Sequence, residues 1–284
     1  MNYEKEYAKK LTTPEEAVKI VKSGDWVDYG WCANHPRVLD KALAERMIKE
    51  PSLTDLKFRG GVALWMPEVA KIPNAKEQMC WNSWHASGYE RKLTDNGIGY
   101  YAPLRFSELP RNYRDNIKHV DVTFIQVAPM DKHGYFNFGL SASDIAAVIE
   151  VSEKVVVEVN PLMPVVLGGT EVSVHIDDVD LIVENEGIPM ADLPSGAPSE
   201  IDEAVAKLIV PEIPNGACLQ LGIGGMPNAV GAMIAKSDLK DLSVHTEMYV
   251  DGFVDIANAG KLTCAQKNIC LLYTSPSPRD STSS

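Results

Sequence analysis

The fold of this chain can be inferred from the run Ala217-Cys218-Leu219-Gln220-Leu221-Gly222-Ile223-Gly224-Gly225-Met226-Pro227. The first five residues are mostly apolar, as in a short buried strand, and the glycines that follow end it. Pro227 is predicted to be the first residue of a helix, where its missing N–H costs nothing. Apolar residues then recur at helical spacing from 228 to 236. This run therefore predicts a strand, a glycine turn and a helix.

A second strand is predicted to follow that helix. Residues 242–246 form the strand candidate, and Glu247 stands at its end. In a right-handed βαβ unit both strands point to the same edge of the sheet, and ligands of open α/β sheets bind at that edge. The glycine turn and Glu247 are therefore predicted to face one pocket.

The rest of the chain predicts the same fold class. A capping box at Thr13-Pro14-Glu15-Glu16 should start a helix that stops near Gly24. Further predicted elements are strands at 26–31, 53–58, 122–127 and 154–160 and helices at 36–50 and 143–151. Strands that alternate with helices indicate an α/β fold with a parallel sheet.

The length and composition allow two domains. The chain has 284 residues, of which 45% are hydrophobic, so it can bury a sizeable core. Prolines and glycines at 211–216 place the predicted boundary there, with a first domain at 1–212 and a second at 213–268. Residues 269–284 are rich in serine and proline, and we expect them to be a disordered, non-native tail.

Charge and cysteine content narrow the function classes. The net charge of −12 argues against sequence-independent nucleic-acid binding, which depends on neutralising phosphates. No apolar run approaches the ~20 residues that span a bilayer, and the N-terminus lacks the apolar core of a signal peptide. The five cysteines include no C-x-x-C pair, which indicates reduced thiols and a cytoplasmic protein without membrane or nucleic-acid partners.

Three kinds of chemistry fit the glycine turn and the residues after it. A dinucleotide site has this outline, although Pro227 stands where the fingerprint has glycine or alanine. A metal site could use His245 and Glu247, which share one face of a strand, but no third ligand stands at a useful spacing. Alternatively, Glu247 is a covalent nucleophile and the turn holds a large anionic thioester. The residues alone leave these alternatives open.

The chain resembles the acetyl-CoA hydrolase/transferase family of CoA-transferases. The resemblance rests on the run from Leu221 to Val230 followed by His245-Thr246-Glu247-Met248. It continues upstream through Asp131-Lys132-His133-Gly134-Tyr135-Phe136, Glu158-Val159-Asn160-Pro161 and Trp81-Asn82-Ser83-Trp84-His85. It covers residues 1–268 in one collinear order. It implies two related open-sheet α/β domains of the CoA-transferase type, the second incomplete in this chain.

The resemblance also implies an activity and a site. Coenzyme A would move between a short-chain acyl-CoA, butyryl-CoA, and a carboxylate acceptor, acetate, through a glutamyl-CoA thioester in butyrate-forming fermentation. The matching catalytic residue is Glu247. The residues that match the family's CoA-contacting turn are Gly222, Ile223, Gly224, Gly225 and Met226. Coenzyme A is then substrate and covalent intermediate, with no permanently bound cofactor and no metal. Alternatives on the same scaffold are CoA transfer to 4-hydroxybutyrate and acyl-CoA hydrolysis.

Family members are longer than this chain, and the resemblance implies a later glycine-rich loop that contacts CoA. The expectation is therefore a homo-oligomeric enzyme at full length and a C-terminally truncated chain here. A chain truncated in this way is expected to be an inactive acyl-CoA-binding fragment.

Overall fold

The computed structural model describes residues 3–192 and 196–264. The chain divides into two compact units, Met1–Asp192 and a second unit that starts at Leu193. This division falls earlier than the predicted boundary at 212/213, because Ala206 of the helix Glu200–Ile209 is buried in the core of the second unit. The prediction for residues 269–284 lies outside the described residues. No helix within the described ranges combines the length and the apolar character needed to cross a bilayer.

The first unit is built on a parallel sheet. Its strands are β1 (Trp26–Trp31), β2 (Leu56–Gly61), β3 (Met79–Ser83), β4 (Gly99–Tyr101), β5 (Val120–Val127), β6 (Tyr135–Asn137), β7 (Ser152–Val159), β8 (Ser173–His175) and β9 (Leu181–Glu184). Seven of them form one sheet in the order β4-β3-β2-β1-β5-β7-β9, and every pair in it is parallel. Strands β6 and β8 form a separate antiparallel pair. The predicted α/β fold class is confirmed.

Helices follow most of these strands. The α-helices of the first unit are α1 (Tyr3–Lys10), α2 (Pro14–Ala17), α3 (Val38–Lys49), α4 (Ala75–Gln78), α5 (Gly88–Asp95), α6 (Leu109–Asn112) and α7 (Ile145–Glu150). Short 3-10 helices lie at Val18–Ile20, Cys32–Asn34, Glu68–Ala70, Phe106–Glu108 and Ile176–Asp178, and a π-helix lies at Tyr113–Ile117.

Most predicted elements lie where the sequence pattern placed them. The strand predicted at 26–31 is β1, and the helix predicted at 36–50 is α3. The strand predicted at 53–58 begins later, because the chain first turns through Asp55, whose φ is +58°. The helix predicted to run from Thr13 towards Gly24 is wrong in length. It ends at Ala17 and tightens into a 3-10 turn, where β-branched residues are crowded.

The sheet order reverses between β1 and β5, and this is where open α/β sheets usually bind ligands. Here the crevice is filled from within the chain. The side-chain amide of Asn34 donates to the carbonyls of Gln126 and Phe138, at 2.9 and 2.7 Å. The first N–H groups of α3 donate to the buried carboxylate of Glu158. An internal carboxylate thus occupies a helix N-terminus that could otherwise hold a phosphate.

The second unit contains the predicted strand–helix–strand motif. Its elements are α8 (Glu200–Ile209), a 3-10 helix at Val210–Glu212, β10 (Cys218–Leu219), α9 (Gly225–Lys236), β11 (Ser243–Val244) and α10 (Asp251–Asn258). Strands β10 and β11 pair in parallel. Helices α9 and α10 cross closely at two glycines. A Cβ added to Gly231 would lie 2.7 Å from the Cα of Gly252, so position 231 has no room for a larger residue, and a Cβ added to Gly252 would lie a tight 3.3 Å from the Cα of Gly231.

Two buried carboxyl groups lie close together in the first unit. Asp28 accepts a hydrogen bond from the hydroxyl of Tyr113 at 2.6 Å, and Asp144 is only 2% exposed. Burial and the nearby charge of Asp28 raise the pKa of Asp144 to about 7. Between these two pKa values, the folded protein therefore keeps a proton on Asp144 that the unfolded chain has lost.

We expect the thermal stability to fall as the pH rises from 5 to 8. The unfolded carboxyl group of Asp144 titrates near its usual pKa of 3.8 and the folded one near 7. The folded state binds more protons across this window, so this group removes about 2–3 kcal/mol of stability from pH 5 to pH 8. Asp144→Asn should flatten the pH dependence of Tm, measured by circular dichroism.

The exposed Asp95→Asn serves as the control for that experiment. A residual slope should remain in Asp144→Asn, because burial also raises the pKa of Asp40 to about 7. An unchanged slope in Asp144→Asn would contradict this account.

Candidate functional site

The glycine turn and the segment that carries Glu247 lie side by side in the second unit. The backbone N–H of His245 donates to the carbonyl of Leu219 at 3.0 Å, which extends the pairing of β10 and β11. The hydroxyl of Thr246 lies 2.9 Å from the carbonyl of Met248 and 3.3 Å from that of Leu221. The residue before the turn and the residue before Glu247 are therefore in contact, at the edge where the sequence predicts them.

The turn requires glycine at one position above all. Gly224 has φ +120° and ψ 175°, a conformation open almost only to glycine. The φ of Gly222 is not in the left-handed region, and a Cβ there would meet no atom closer than 4.0 Å. The need for glycine at 222 is therefore not steric within the described part of the chain.

Helix α9 starts directly after this turn. Its first residue is Gly225, and Pro227 is the third residue of the helix. The prediction that Pro227 begins the helix is wrong by two residues, because the first three helical N–H groups all lack intrahelical acceptors and proline fits any of them. No side chain caps this helix, and its first turn carries no acidic residue. A carboxylate oxygen of Asp202, in α8, nevertheless lies beside this helix start, because a Cβ added to Gly225 would be 2.9 Å from it.

Glu247 lies in the loop between β11 and α10 and is exposed. Its carboxylate forms no hydrogen bond or ion pair with any residue in the ranges that the structure describes. Exposed apolar side chains surround it in sequence and across the turn, at Ile223, Met226, Met248 and Tyr249. The site therefore combines an unpaired carboxylate, N–H donors at a helix N-terminus and apolar surface.

The sequence analysis did not identify a pair of buried polar atoms that this site contains. The Nδ1 of His245 and the Oδ1 of Asn228 are buried, and neither has a hydrogen-bond partner among the described residues. Asn228 lies in the first turn of α9, and His245 follows β11. The only sequence signal for them is their spacing, one residue after Pro227 and two residues before Glu247.

This geometry gives little support to a dinucleotide site or to a metal site at His245 and Glu247. Strand β10 has only two residues, and Pro227 stands at the position where a dinucleotide fold needs a small residue. Within residues 3–192 and 196–264, the one group of three side chains with metal-ligand spacing is His119, Asp121 and Glu153. It lies in the first unit and does not include His245 or Glu247.

The sequence matches the family described as "Acetyl-CoA hydrolase/transferase N-terminal domain" over residues 1–194. This chain belongs to the acetyl-CoA hydrolase/transferase family. It is 61% identical to the butyryl-CoA:acetate CoA-transferase of Anaerostipes caccae and covers 60% of that protein with 95% of its own length. It is 44% identical to a probable butyrate:acetyl-CoA coenzyme A-transferase of Syntrophomonas wolfei, covering 58% of that protein with 93% of its own length.

A solved structure shows the same relation. The crystal structure of RipA from Yersinia pestis superposes with a TM-score of 0.84 at 31% identity, over 95% of this chain and 63% of RipA. The chain spans about 60% of the length of the curated relatives that it matches.

Substitution by alanine should lower the free energy of unfolding much more at Gly224 than at Gly222. Gly224→Ala forces φ +120° on a residue with a Cβ, so we expect a loss of about 1–3 kcal/mol in the free energy of unfolding. Gly222→Ala meets open space and should change it by less than about 0.5 kcal/mol. Urea unfolding of both variants measures the difference. Equal losses in the two variants would show that the conformation of the turn is not as described.

Proposed function

We propose that the protein is a CoA-transferase that moves CoA from butyryl-CoA to acetate, with Glu247 as the covalent nucleophile. One observation carries this proposal. The unpaired carboxylate of Glu247 lies in a segment bonded through Thr246 to the strand end that precedes an uncapped helix N-terminus. The identity to butyryl-CoA:acetate CoA-transferase supports the choice of substrates.

The proposed reaction proceeds in balanced steps. The carboxylate of Glu247 attacks the thioester carbonyl, the C–S bond breaks, and an acyl-glutamyl anhydride and CoA thiolate form. The thiolate attacks the glutamyl carbonyl, which gives a glutamyl-CoA thioester and releases butyrate. Acetate then attacks that thioester, and the same two steps in reverse yield acetyl-CoA and free Glu247. Anhydride and thioester are similarly activated, so no nucleotide hydrolysis is needed.

The glycine turn is proposed to hold CoA. The residues assigned to this contact are Gly222, Ile223, Gly224, Gly225 and Met226. The N–H groups at the start of α9 attract negative charge, as the phosphates of CoA require. Small residues let the CoA chain approach the backbone, and the apolar side chains of Ile223 and Met226 offer contact to its methylene groups.

Two alternatives share this scaffold. Transfer to 4-hydroxybutyrate differs only in the acceptor, and hydrolysis differs in using water instead of a carboxylate. A hydrolase releases free CoA from butyryl-CoA without acetate, whereas the proposed transferase requires the acceptor. We further propose a cytoplasmic, homo-oligomeric enzyme of butyrate-forming metabolism, with CoA as substrate and no permanently bound cofactor.

The nucleophile can be tested by mass spectrometry. Full-length protein incubated with butyryl-CoA should carry a CoA adduct on the peptide that contains Glu247. Glu247→Gln cannot form the anhydride and should lose transferase activity by more than about 10³-fold. Glu203→Gln, at an exposed position of α8, is the matched control and should keep both adduct and activity.

An adduct on another peptide would reject Glu247 as the nucleophile, and so would near-native turnover by Glu247→Gln. Release of CoA at the same rate with and without acetate would favour the hydrolase.

The role of the turn can be tested with Gly222→Ala. Because this change should leave stability intact, a tenfold or larger rise in the KM for butyryl-CoA, with the KM for acetate unchanged, would reflect lost contact with CoA. Equal KM values for butyryl-CoA in the variant and the native protein would remove Gly222 from the proposed CoA site.

A further inference from the structure

Three side chains that can bind a metal ion lie together at the amino ends of β5 and β7. His119 directly precedes β5, Asp121 is the second residue of that strand, and Glu153 is the second residue of β7. Their ligand atoms all lie within 4.8 Å of one another. None of the three is a residue proposed for CoA transfer, and they lie at the end of the sheet opposite to its carboxyl edge.

The backbone pairing brings the two carboxylates to one face of the sheet. Strands β5 and β7 pair in parallel, in a register that sets Asp121 level with Glu153. Side chains at the same level of neighbouring strands point to the same face. The proximity of these two acids therefore follows from the register of the sheet and does not depend on one choice of side-chain rotamer.

The carboxylate of Asp121 is anchored by one oxygen and contacts the imidazole with the other. Its Oδ2 accepts the backbone N–H of Trp26, at the start of β1, at 2.8 Å. Its Oδ1 lies 2.9 Å from the Nε2 of His119. Two atoms bound about 2.1 Å from one Zn²⁺ ion lie roughly 3.0–3.4 Å apart at angles of about 90–109°. This pair is thus already close to the spacing of two ligands of one ion.

The third carboxylate is free to complete the set. Glu153 is exposed and forms no hydrogen bond or ion pair with any residue in the ranges that the structure describes. Lys154, which follows it, pairs instead with Asp180 at 2.9 Å. The exposed side chain of Glu153 can therefore move the remaining distance to a shared ion without breaking a contact.

A further acid adds to the negative charge at this end of the sheet. Asp25 directly precedes β1. Burial raises the pKa of its carboxyl group, and the charges of Asp121 and Glu153 raise it further, while Lys22 opposes the shift through its backbone N–H and its charge. Three carboxylates thus repel one another here, and a bound cation would reduce that repulsion.

We propose that His119, Asp121 and Glu153 bind a divalent transition-metal ion of the Zn²⁺ class. An imidazole nitrogen with two carboxylate oxygens suits Zn²⁺, whereas Mg²⁺ and Ca²⁺ prefer ligand sets made only of oxygen. Water completes the coordination, because the site is at the surface. The ion is structural: it ties β7 to the residue before β5, and none of the proposed transfer steps uses it.

Calorimetric titration with Zn²⁺, after the protein has been freed of metal by a chelator, tests the proposal. His119→Gln and Glu153→Gln should each weaken Zn²⁺ binding at least tenfold, because each removes one ligand. His133→Gln and Glu77→Gln are matched controls at exposed positions elsewhere in the first unit and should leave the affinity within twofold.

Thermal unfolding gives a second readout. Zn²⁺ at ten times its measured Kd should raise Tm by about 3–6 °C in the native protein and leave Tm unchanged in His119→Gln. With Co²⁺ as a spectroscopic probe, the native protein should show no cobalt–thiolate charge-transfer band, since the proposed ligands include no cysteine.

Four outcomes would overturn the proposal. They are the absence of saturable Zn²⁺ binding up to about 100 μM free ion, unchanged affinity in both ligand variants, a cobalt–thiolate band, and equal affinity for Zn²⁺ and Ca²⁺. The last result would show only general attraction of cations to an acidic surface.

Discussion

The carboxylate of Glu158 is the group on which the architecture of the first unit depends. It lies near the end of β7 with no solvent exposure and accepts the N–H groups of residues 37, 38 and 39 at 2.9–3.1 Å. The side-chain amide of Asn185 donates to its other oxygen at 2.9 Å. One carboxylate thus joins α3, β7 and the segment after β9 across the sheet edge. Burial raises the pKa of Glu158, and the N–H donors oppose that shift by favouring the charged form.

This arrangement explains why the two units offer different chemistry at equivalent places. Each has a helix that begins at the carboxyl edge of a parallel strand pair. In the first unit the start of α3 is satisfied by Glu158, and the crevice beside it is filled by Asn34. In the second unit the start of α9 has glycine as its cap, no side-chain acceptor and no acid in the first turn. In the described part of the chain, the start of α9 therefore has no bonded carboxylate like that of Glu158, although an oxygen of Asp202 lies beside Gly225.

The second unit achieves its geometry with close contacts rather than with buried charge. Gly231 and Gly252 let α9 and α10 cross with their backbones nearly touching. The hydroxyl of Thr246 holds the loop between β11 and α10 against the end of β10. These contacts leave Glu247 on a short, well-anchored loop while its carboxylate remains exposed and unpaired.

The sequence by itself determined the parallel α/β fold, because apolar runs and helical spacing are local properties of the chain. It also determined that the glycine turn and Glu247 share an edge, since right-handed crossovers leave little choice. The start of α9 was misplaced by two residues, because proline is compatible with more than one position of a first turn. Only the tertiary structure decided that the N-terminus of α3 is closed by Glu158, since that contact joins residues about 120 positions apart. It also decided that His119, Asp121 and Glu153 lie together, because their proximity depends on the register of β5 against β7, which leaves no pattern in the sequence.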